Sequence, residues 1–262
     1  MITRVITLLT DFGMRDGFVG TMKGVIYTIA PDVKIVDISH EIEPQDIDSA
    51  AFLLFNSYKY FPAETIHVVV VDPGVGSERK ILCVRAGKHY FLAPDNGVLK
   101  YIFSKHQDAI VREVTNQEYF LPVISQTFHG RDIFAPVAAF LAKGIAFEEV
   151  GELTHNYNSG RIPELLEKED KIIGEVIYID RFGNLITNIP EEKLQPLDTK
   201  QVKIKCKDRQ IMGLSKSYAE KEPKQLLALV GSSGFLELSV NLNNAQKILN
   251  AEIGDEVIVI FK

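Results

Sequence analysis

A change in hydrophobic patterning near residues 160–172 divides this chain of 262 residues into two parts. Before that point, short apolar runs rich in β-branched residues alternate with longer amphipathic segments. The apolar runs have the length of strands, and the amphipathic segments have the length and periodicity of helices. Alternation of this kind is typical of an α/β domain in which helices cover a mostly parallel sheet.

The predicted elements of the first part follow one another without internal repeats. Strands are expected at residues 5–9, 34–38, 66–71, 81–85 and 90–93, and helices at 16–29, 47–58 and near 96–103. Beyond the boundary the apolar runs are short and separated by close turns, which is typical of a small barrel or sandwich. These runs are residues 172–179, 201–206, 226–230, 235–240 and 256–261.

The pattern therefore predicts two domains joined by a charged connector at residues 163–171. The first, residues 1–163, is an N-terminal α/β domain with a mostly parallel sheet covered by helices. The second, residues 172–262, is a C-terminal all-β, barrel-like domain.

Composition argues against several classes of protein. The formal net charge is −6 with both signs interspersed, so no footprint for nucleic acid is present. No apolar run approaches the roughly 20 residues that a membrane helix needs. The N-terminal residues resemble the start of a strand, so no signal peptide is expected. The two cysteines, Cys83 and Cys206, match no metal spacing and are interpreted as reduced core residues of a cytoplasmic protein.

An aspartate at the end of a buried strand is the first candidate for chemistry. Asp72 closes the apolar run that ends at residue 71, a Pro- and Gly-rich turn follows, and Arg79 comes seven residues after the aspartate. Ligands of open α/β sheets bind at the carboxyl ends of the strands, which favours a site here. A simple turn held by a structural Asp–Arg pair explains the same residues equally well.

Other polar turns also lie between predicted elements. Asp11 ends the first strand, where it could accept hydrogen bonds from the vicinal hydroxyls of a ribose or cap the next helix. Residues 128–132 place a histidine, an arginine and an aspartate within one turn, and residues 93–97 form a Pro-Asn-Gly turn that is structural by default. His40-Glu41 lacks a second histidine at helical spacing, which argues against zinc.

Six short motifs occur in a fixed order and span essentially the whole chain. They are Thr-Asp-Phe-Gly at 10–13, Asp-Pro-Gly-Val-Gly at 72–76 with Arg79, Ala-Pro-Asp-Asn-Gly at 93–97, Phe-His-Gly-Arg-Asp at 128–132, Asp-Arg-Phe-Gly-Asn at 180–184 and Ser-Ser-Gly at 232–234. By these motifs the chain resembles the S-adenosyl-L-methionine (SAM) hydroxide adenosyltransferases. These SAM hydrolases are the hydrolytic relatives of fluorinase and chlorinase.

The resemblance implies both a reaction and an assembly. SAM and water would give adenosine and methionine, with no metal and no other cofactor. The catalytic set would be Asp72, Arg79 and His129. The resemblance also implies an α/β domain followed by a β-barrel domain, in a homotrimer whose ligand sites lie between subunits. The expected partners are therefore the substrate SAM, the product adenosine and further copies of the chain.

The resemblance further implies a set of substrate-binding residues. Asp11 would hold the ribose diol, and Asp16 would lie near the methionine end. In the second domain, the methionine amino and carboxylate groups would be bound by Asp180 and Ser232, the adenine edge by Asn184 and the adenine ring by Tyr218, with Glu237 and Val240 lining the same site.

Within this resemblance, three departures favour hydrolysis over halogenation. The halogenating relatives carry an aromatic residue in place of Asp72 and lack a histidine in place of His129, and their insertion between Gly87 and Tyr90 is absent here. A carboxylate at that place would repel a halide but can accept a proton from water. Two alternatives from other classes are a non-catalytic SAM- or adenosine-binding protein and a metal-dependent hydrolase that uses Asp11, Asp16 and Asp72 as ligands.

Overall fold

A computed structural model describes residues 4–198 and 200–261 of the chain. The chain divides between Arg161 and Ile162 into two compact units. Each unit has its own cluster of buried apolar side chains. None of the helices within the described residues has the length and apolar character that a membrane span requires.

The first unit is built on a six-stranded sheet with the order β2-β1-β3-β5-β4-β6. Its strands are β1 Val5–Thr10, β2 Lys34–Ser39, β3 Ile66–Val70, β4 Ile81–Ala86, β5 His89–Pro94 and β6 Ile110–Glu113. The pairs β1–β2, β1–β3 and β3–β5 are parallel, whereas β4 runs antiparallel to β5 and β6. The predicted mostly parallel sheet is therefore confirmed.

Helices cover this sheet, as the alternating pattern predicts. They are α1 Phe18–Ile29, α2 Ile47–Tyr58, α3 Lys100–Lys105 and α4 Ala135–Lys143, and a π-helical turn, Gly130–Phe134, leads into α4. Every residue of β3 is buried, as expected for a central parallel strand. Met22 and Ile26 of α1 and Val137 of α4 belong to the same buried cluster as Val68 of β3.

The register of β1 and β3 places two candidate residues at one edge of the sheet. The two strands are parallel, and Thr10 at the end of β1 pairs with Val70 at the end of β3. Asp11 and Asp72 therefore leave the sheet at the same edge, at the carboxyl ends of neighbouring strands.

The second unit is an antiparallel, nearly closed, barrel-like sheet, which confirms the predicted barrel-like domain. The strand order is β11-β10-β14-β8-β9-β13-β12, and the short strand β7 pairs with β8. The elements are β7 Leu166–Glu167, β8 Lys171–Ile179, β9 Leu185–Pro190, α5 Glu191–Leu194, β10 Lys203–Cys206, β11 Arg209–Met212, β12 Leu226–Val230, β13 Phe235–Val240, α6 Ala245–Leu249 and β14 Glu256–Ile260.

Candidate active site

A cavity of about 420 Å³ opens at the sheet edge where β1 and β3 end. Asp11 and Asp72 line it from the strand ends, Gln45 from the loop after β2, and His129 from the loop before α4. Its volume lies within the range of small-molecule sites, and its position is the usual one for ligands of parallel sheets.

Asp72, in the wall of the cavity, forms an ion pair with Arg79. The Arg79 Nε lies 2.9 Å from Oδ1 and 2.7 Å from Oδ2 of Asp72, and Nη2 lies 2.5 Å from Oδ2. The two side chains are only 10% and 4% exposed, so water screens the pair weakly. Fork-like charge-assisted contacts of this kind fix the orientation of a carboxylate.

The turn between Asp72 and Arg79 packs closely against the loop that carries the histidine. Gly76 has φ +78°, and a Cβ on it would lie 2.3 Å from the backbone oxygen of Gln126. Only glycine fits this close approach. Within the turn, the Ser77 hydroxyl donates to the Gly74 carbonyl at 2.7 Å. The glycines thus bring the Asp72 turn against the segment that leads to His129.

Arg79 also holds His129. Its Nη2 lies 2.9 Å from His129 Nδ1. Because a guanidinium can only donate hydrogen bonds, Nδ1 must be the acceptor, and the proton of the neutral imidazole is on Nε2. Arg79 therefore joins Asp72 and His129 in one row, with Arg79 in the middle.

The environment of His129 favours its neutral form. Burial lowers its pKa, and the positive charge of Arg79 acts in the same direction. Asp72, Asp132 and the Ser125 backbone oppose this shift, but the net direction is downward. Since the ordinary histidine pKa is about 6.5, the ring is mostly neutral at neutral pH.

Asp132 ends the Phe-His-Gly-Arg-Asp motif at 128–132, and no role in the site was predicted for it. Its side chain is buried and accepts hydrogen bonds from Ser125 N at 2.8 Å and Arg131 Nε at 2.6 Å. Burial alone would raise the pKa of Asp132, but the hydrogen bonds from Arg131 and Ser125 outweigh burial and lower it. The carboxylate therefore fixes the loop that precedes His129.

Asp11 and three phenylalanines complete the cavity in this unit. Asp11 Oδ2 accepts a hydrogen bond from Gln45 N at 2.9 Å. The rings of Phe12, Phe18 and Phe128 contact one another at centroid distances of 5.6, 5.8 and 5.1 Å and supply an apolar wall. Sequence reasoning missed these rings as site residues. Asp16 is exposed in the turn before α1 and is not among the cavity-lining residues.

In the second unit, a tight turn between β8 and β9 brings Asp180 and Asn184 together. Asp180 Oδ1 accepts from the backbone N–H of Phe182 and of Asn184, each at 2.9 Å. Asp180 Oδ2 accepts from Asn184 Nδ2, also at 2.9 Å. The carboxylate thus organises its own turn and the amide of Asn184.

A second polar group of this unit is centred on Glu237, which is buried. Its Oε1 accepts from the Tyr218 hydroxyl at 2.8 Å and the Ser239 hydroxyl at 2.6 Å. Burial raises the pKa of Tyr218, and the hydrogen bond to Glu237 and the charges of Glu237 and Asp180 raise it further. Ser232 is exposed in the turn before β13, and Val240 is buried at the end of that strand.

Two family models match the chain. The SAM hydroxide adenosyltransferase N-terminal domain matches residues 6–151, and the C-terminal domain of the same family matches residues 174–258. The chain belongs to the SAM hydroxide adenosyltransferase family. Asp11, Asp72, Arg79 and His129 lie within the first match, and Asp180, Asn184 and Glu237 lie within the second.

Two relatives and one solved structure are similar to the chain, and the first relative and the solved structure cover nearly its whole length. An (R)-S-adenosyl-L-methionine hydrolase of Methanocaldococcus jannaschii is 39% identical, over 99% of this chain and 97% of the relative. A crystal structure of an uncharacterized conserved protein from Thermotoga maritima superposes with a TM-score of 0.92 at 38% identity, over 97% of this chain and 99% of that one. A fluorinase of Nocardia brasiliensis is 28% identical, over 74% of this chain and 73% of the relative.

The carboxylates of the site bear on the metal-dependent alternative. Among residues 4–198 and 200–261, no group of three or more His, Cys, Asp and Glu side chains is arranged to hold a metal ion. Asp11 is engaged by a backbone N–H and Asp72 by Arg79, so two of the three ligands of the metal-dependent alternative already have protein partners.

Proposed function

We propose that this protein hydrolyses SAM to adenosine and L-methionine by attack of water on C5′. The observation that supports it best is the row of Asp72, Arg79 and His129, whose two outer members line a cavity at the carboxyl edge of a parallel sheet. The M. jannaschii relative is named for the (R) form of SAM. We therefore assign the (R) sulfonium epimer to this chain as its preferred substrate.

The reaction itself sets what the protein must supply. The water oxygen forms a bond to C5′ while the C5′–S bond breaks, and the electron pair of that bond goes to sulfur. The sulfonium leaves as a neutral thioether, so neither a general acid nor a metal ion is needed at the leaving group. The water loses one proton. The difficult part is a weak nucleophile that must be held in line with the C5′–S bond.

The three residues of the row fit these requirements. Asp72 accepts the proton of the attacking water, a function that typically contributes ~10²–10⁴-fold. Arg79 fixes the carboxylate through its fork and holds His129 by Nδ1. The Nε2–H of His129 then donates to one lone pair of the water oxygen and so helps to hold the other lone pair in line with C5′. Holding water and C5′ in attack geometry removes a further entropic part of the barrier, on the order of several kcal/mol.

The remaining residues are proposed to bind the substrate. In this proposal Asp11 holds the ribose diol, and Asp16, which is exposed, approaches the methionine end. The catalytic set belongs to the N-terminal domain, and the C-terminal domain completes the site in a cytoplasmic homotrimer. There the methionine would be bound by Asp180 and Ser232 and the adenosine by Asn184 and Tyr218, with Glu237 and Val240 lining the site.

Isotope labelling with a mixture of sulfonium epimers tests the proposed reaction. The protein is incubated with (R)- and (S)-SAM in ¹⁸O-labelled water, with a chelator present, and the products are separated by chiral chromatography and mass spectrometry. We expect loss of the (R) epimer and one ¹⁸O atom in the 5′-hydroxyl of adenosine. Methionine should carry no label, because the C5′–S bond breaks on the carbon side.

Each other outcome removes a defined part of the proposal. Unlabelled adenosine would exclude direct displacement by water. Equal loss of both epimers would remove the stereochemical preference alone. Adenosine binding without any turnover would identify the protein as a binding protein, and loss of turnover with the chelator would restore the metal-dependent alternative.

Mixed oligomers test the proposed completion of the site by a second chain. Asp72→Ala and Asn184→Ala chains should each be nearly inactive alone, because one lacks the proton acceptor and the other an adenine contact. After the two chains are refolded together, a ring contains interfaces that join two intact halves, and part of the activity should return. Absence of any recovery in mixed oligomers verified by mass would place each site within one chain.

A further inference from the structure

The turn that carries Asp11 is held by the loop that follows β2. The Thr10 hydroxyl oxygen lies 2.8 Å from His40 Nδ1, and Gly13 N donates to the His40 backbone oxygen at 2.7 Å. Gln45 N donates to the Asp11 carboxylate at 2.9 Å. Because β1 and β2 are parallel neighbours, this loop and the Asp11 turn leave the sheet at the same edge. Asp11 is therefore flanked by three contacts to one loop.

The Thr10–His40 contact is buried and has a defined direction. Thr10 is 0% and His40 4% exposed. A hydroxyl can donate to His40 Nδ1 or accept from it, and the Asp37 carboxylate beside the other ring nitrogen favours the tautomer in which Thr10 donates. The imidazole proton is then on Nε2, which lies 3.1 Å from Asp37 Oδ1.

Gln45 supplies a second, independent observation at the same loop. Its backbone has φ +70°, which is uncommon for a residue other than glycine. Such conformations persist where the surrounding structure imposes them, and they cluster at ligand sites. Here this conformation accompanies a backbone N–H that donates to Asp11 Oδ2, and both residues line the cavity.

We infer that His40 is a positioning residue that sets the orientation of the Asp11 carboxylate and thereby the selectivity for a ribose diol. Gln45 anchors Oδ2 from one side, and His40 holds the turn in place through Thr10. Oδ1 and the free lone pair of Oδ2 are then presented to two adjacent hydroxyls. This inference rests on the proposed function, since it assumes that Asp11 binds the diol.

Two substitutions of His40 separate its two ring nitrogens. Asparagine places an amide oxygen close to the position of Nδ1, so His40→Asn keeps the acceptor for Thr10. Glutamine reaches toward the position of Nε2, so His40→Gln loses that acceptor while it remains polar and of similar size. Both variants keep the backbone oxygen that Gly13 uses. Thr10→Ser and Thr10→Val form an independent pair that keeps and removes the hydroxyl.

Selectivity for the diol is measured as the ratio of the Kd values of 2′-deoxyadenosine and adenosine, by calorimetry, together with SAM turnover. His40→Gln and Thr10→Val should lower this ratio by about tenfold, because a displaced carboxylate loses a charge-assisted hydrogen bond to the diol. His40→Asn and Thr10→Ser should keep most of the ratio of the wild type. Thermal unfolding of all four variants shows whether selectivity merely follows stability.

The outcomes distinguish this inference from the proposed function. If the wild type turns over SAM and discriminates the diol, but His40→Gln and Thr10→Val discriminate it equally well, His40 does not position Asp11. If all four variants lose selectivity in proportion to their stability, the role of His40 is structural only. A wild type that binds adenosine selectively without hydrolysing SAM overturns the reaction and leaves the positioning measurable. A wild type without affinity for adenosine overturns both.

Discussion

Asp72→Asn should reduce SAM turnover by at least ~10²-fold, the lower end of what a positioned proton acceptor contributes. Asparagine has nearly the same shape as aspartate, but its amide does not accept a proton from water. The Kd of adenosine should change by less than about tenfold, because the substitution leaves the contacts that bind the ground state in place. Single-turnover kinetics and calorimetry on the same preparation measure the two quantities.

Because Asp72 also contributes to the packing of its turn through Arg79, the stability of the Asp72→Asn variant must be measured in the same experiment. Both carboxylate oxygens accept from Arg79 Nε, whereas an amide offers only one oxygen to the same donor. Thermal unfolding shows whether the variant keeps its fold. Glu113→Gln is the matched control, because Glu113 pairs at 3.0 Å with Lys80, the residue after Arg79. Turnover of Asp72→Asn near that of Glu113→Gln would limit Asp72 to orienting the water.

The strand ends that build the cavity could be predicted from the sequence. Apolar, β-branched runs indicated β1 and β3, and an aspartate follows each strand within two residues. In a parallel sheet this places both aspartates at one edge, and the pairing of Thr10 with Val70 brings them to neighbouring positions on it. The physical reason is simple: the direction of a parallel strand fixes the edge at which its last residue emerges.

Contacts between loops that are far apart in the sequence could not be predicted from hydrophobic patterns. His129 meets Arg79 across 50 residues, and His40 meets Thr10 across 30. Neither histidine stands in a periodic pattern. Residues 128–132 were recognised as a polar turn, but only the resemblance gave His129 a catalytic role, and nothing pointed to a role for His40. The signal that could have found His40 is its position directly after β2, next to the strand that carries Asp11.

Among the elements that were not predicted, α4 and β9 were missed for other reasons. Helix α4 is buried over almost its whole circumference, so its sequence is apolar without the polar face that marks an amphipathic helix. Strand β9 follows a turn of only a few residues after β8, and the two strands pair antiparallel as a hairpin. The turn itself was recognised in the sequence, but the apolar run that follows the turn was not predicted to be a strand. The predicted helix near 96–103 begins later, at Lys100, because turns occupy the residues before it.

Arg79→Gln should have the largest combined effect on activity and stability. Turnover should fall at least as far as in Asp72→Asn, because both Asp72 and His129 lose the group that holds them. The free energy of unfolding should also fall by about 3–5 kcal/mol, the cost of leaving one member of a buried ion pair alone. Here the remaining member is the Asp72 carboxylate, which is 4% exposed. Denaturant unfolding and steady-state kinetics measure the two losses.

The double variant Asp72→Asn/Arg79→Gln separates the two losses. It has no buried charge left without a partner, so it should regain part of the stability that Arg79→Gln loses. It should regain no turnover, because the proton acceptor is still absent. Arg79→Lys keeps the charge without the planar fork and should fall between the wild type and Arg79→Gln in stability. A double variant no more stable than Arg79→Gln would mean that the ion pair does not hold this turn. Wild-type turnover in Arg79→Gln would remove Arg79 from the catalytic row, because Asp72 and His129 would then act without the residue that joins them.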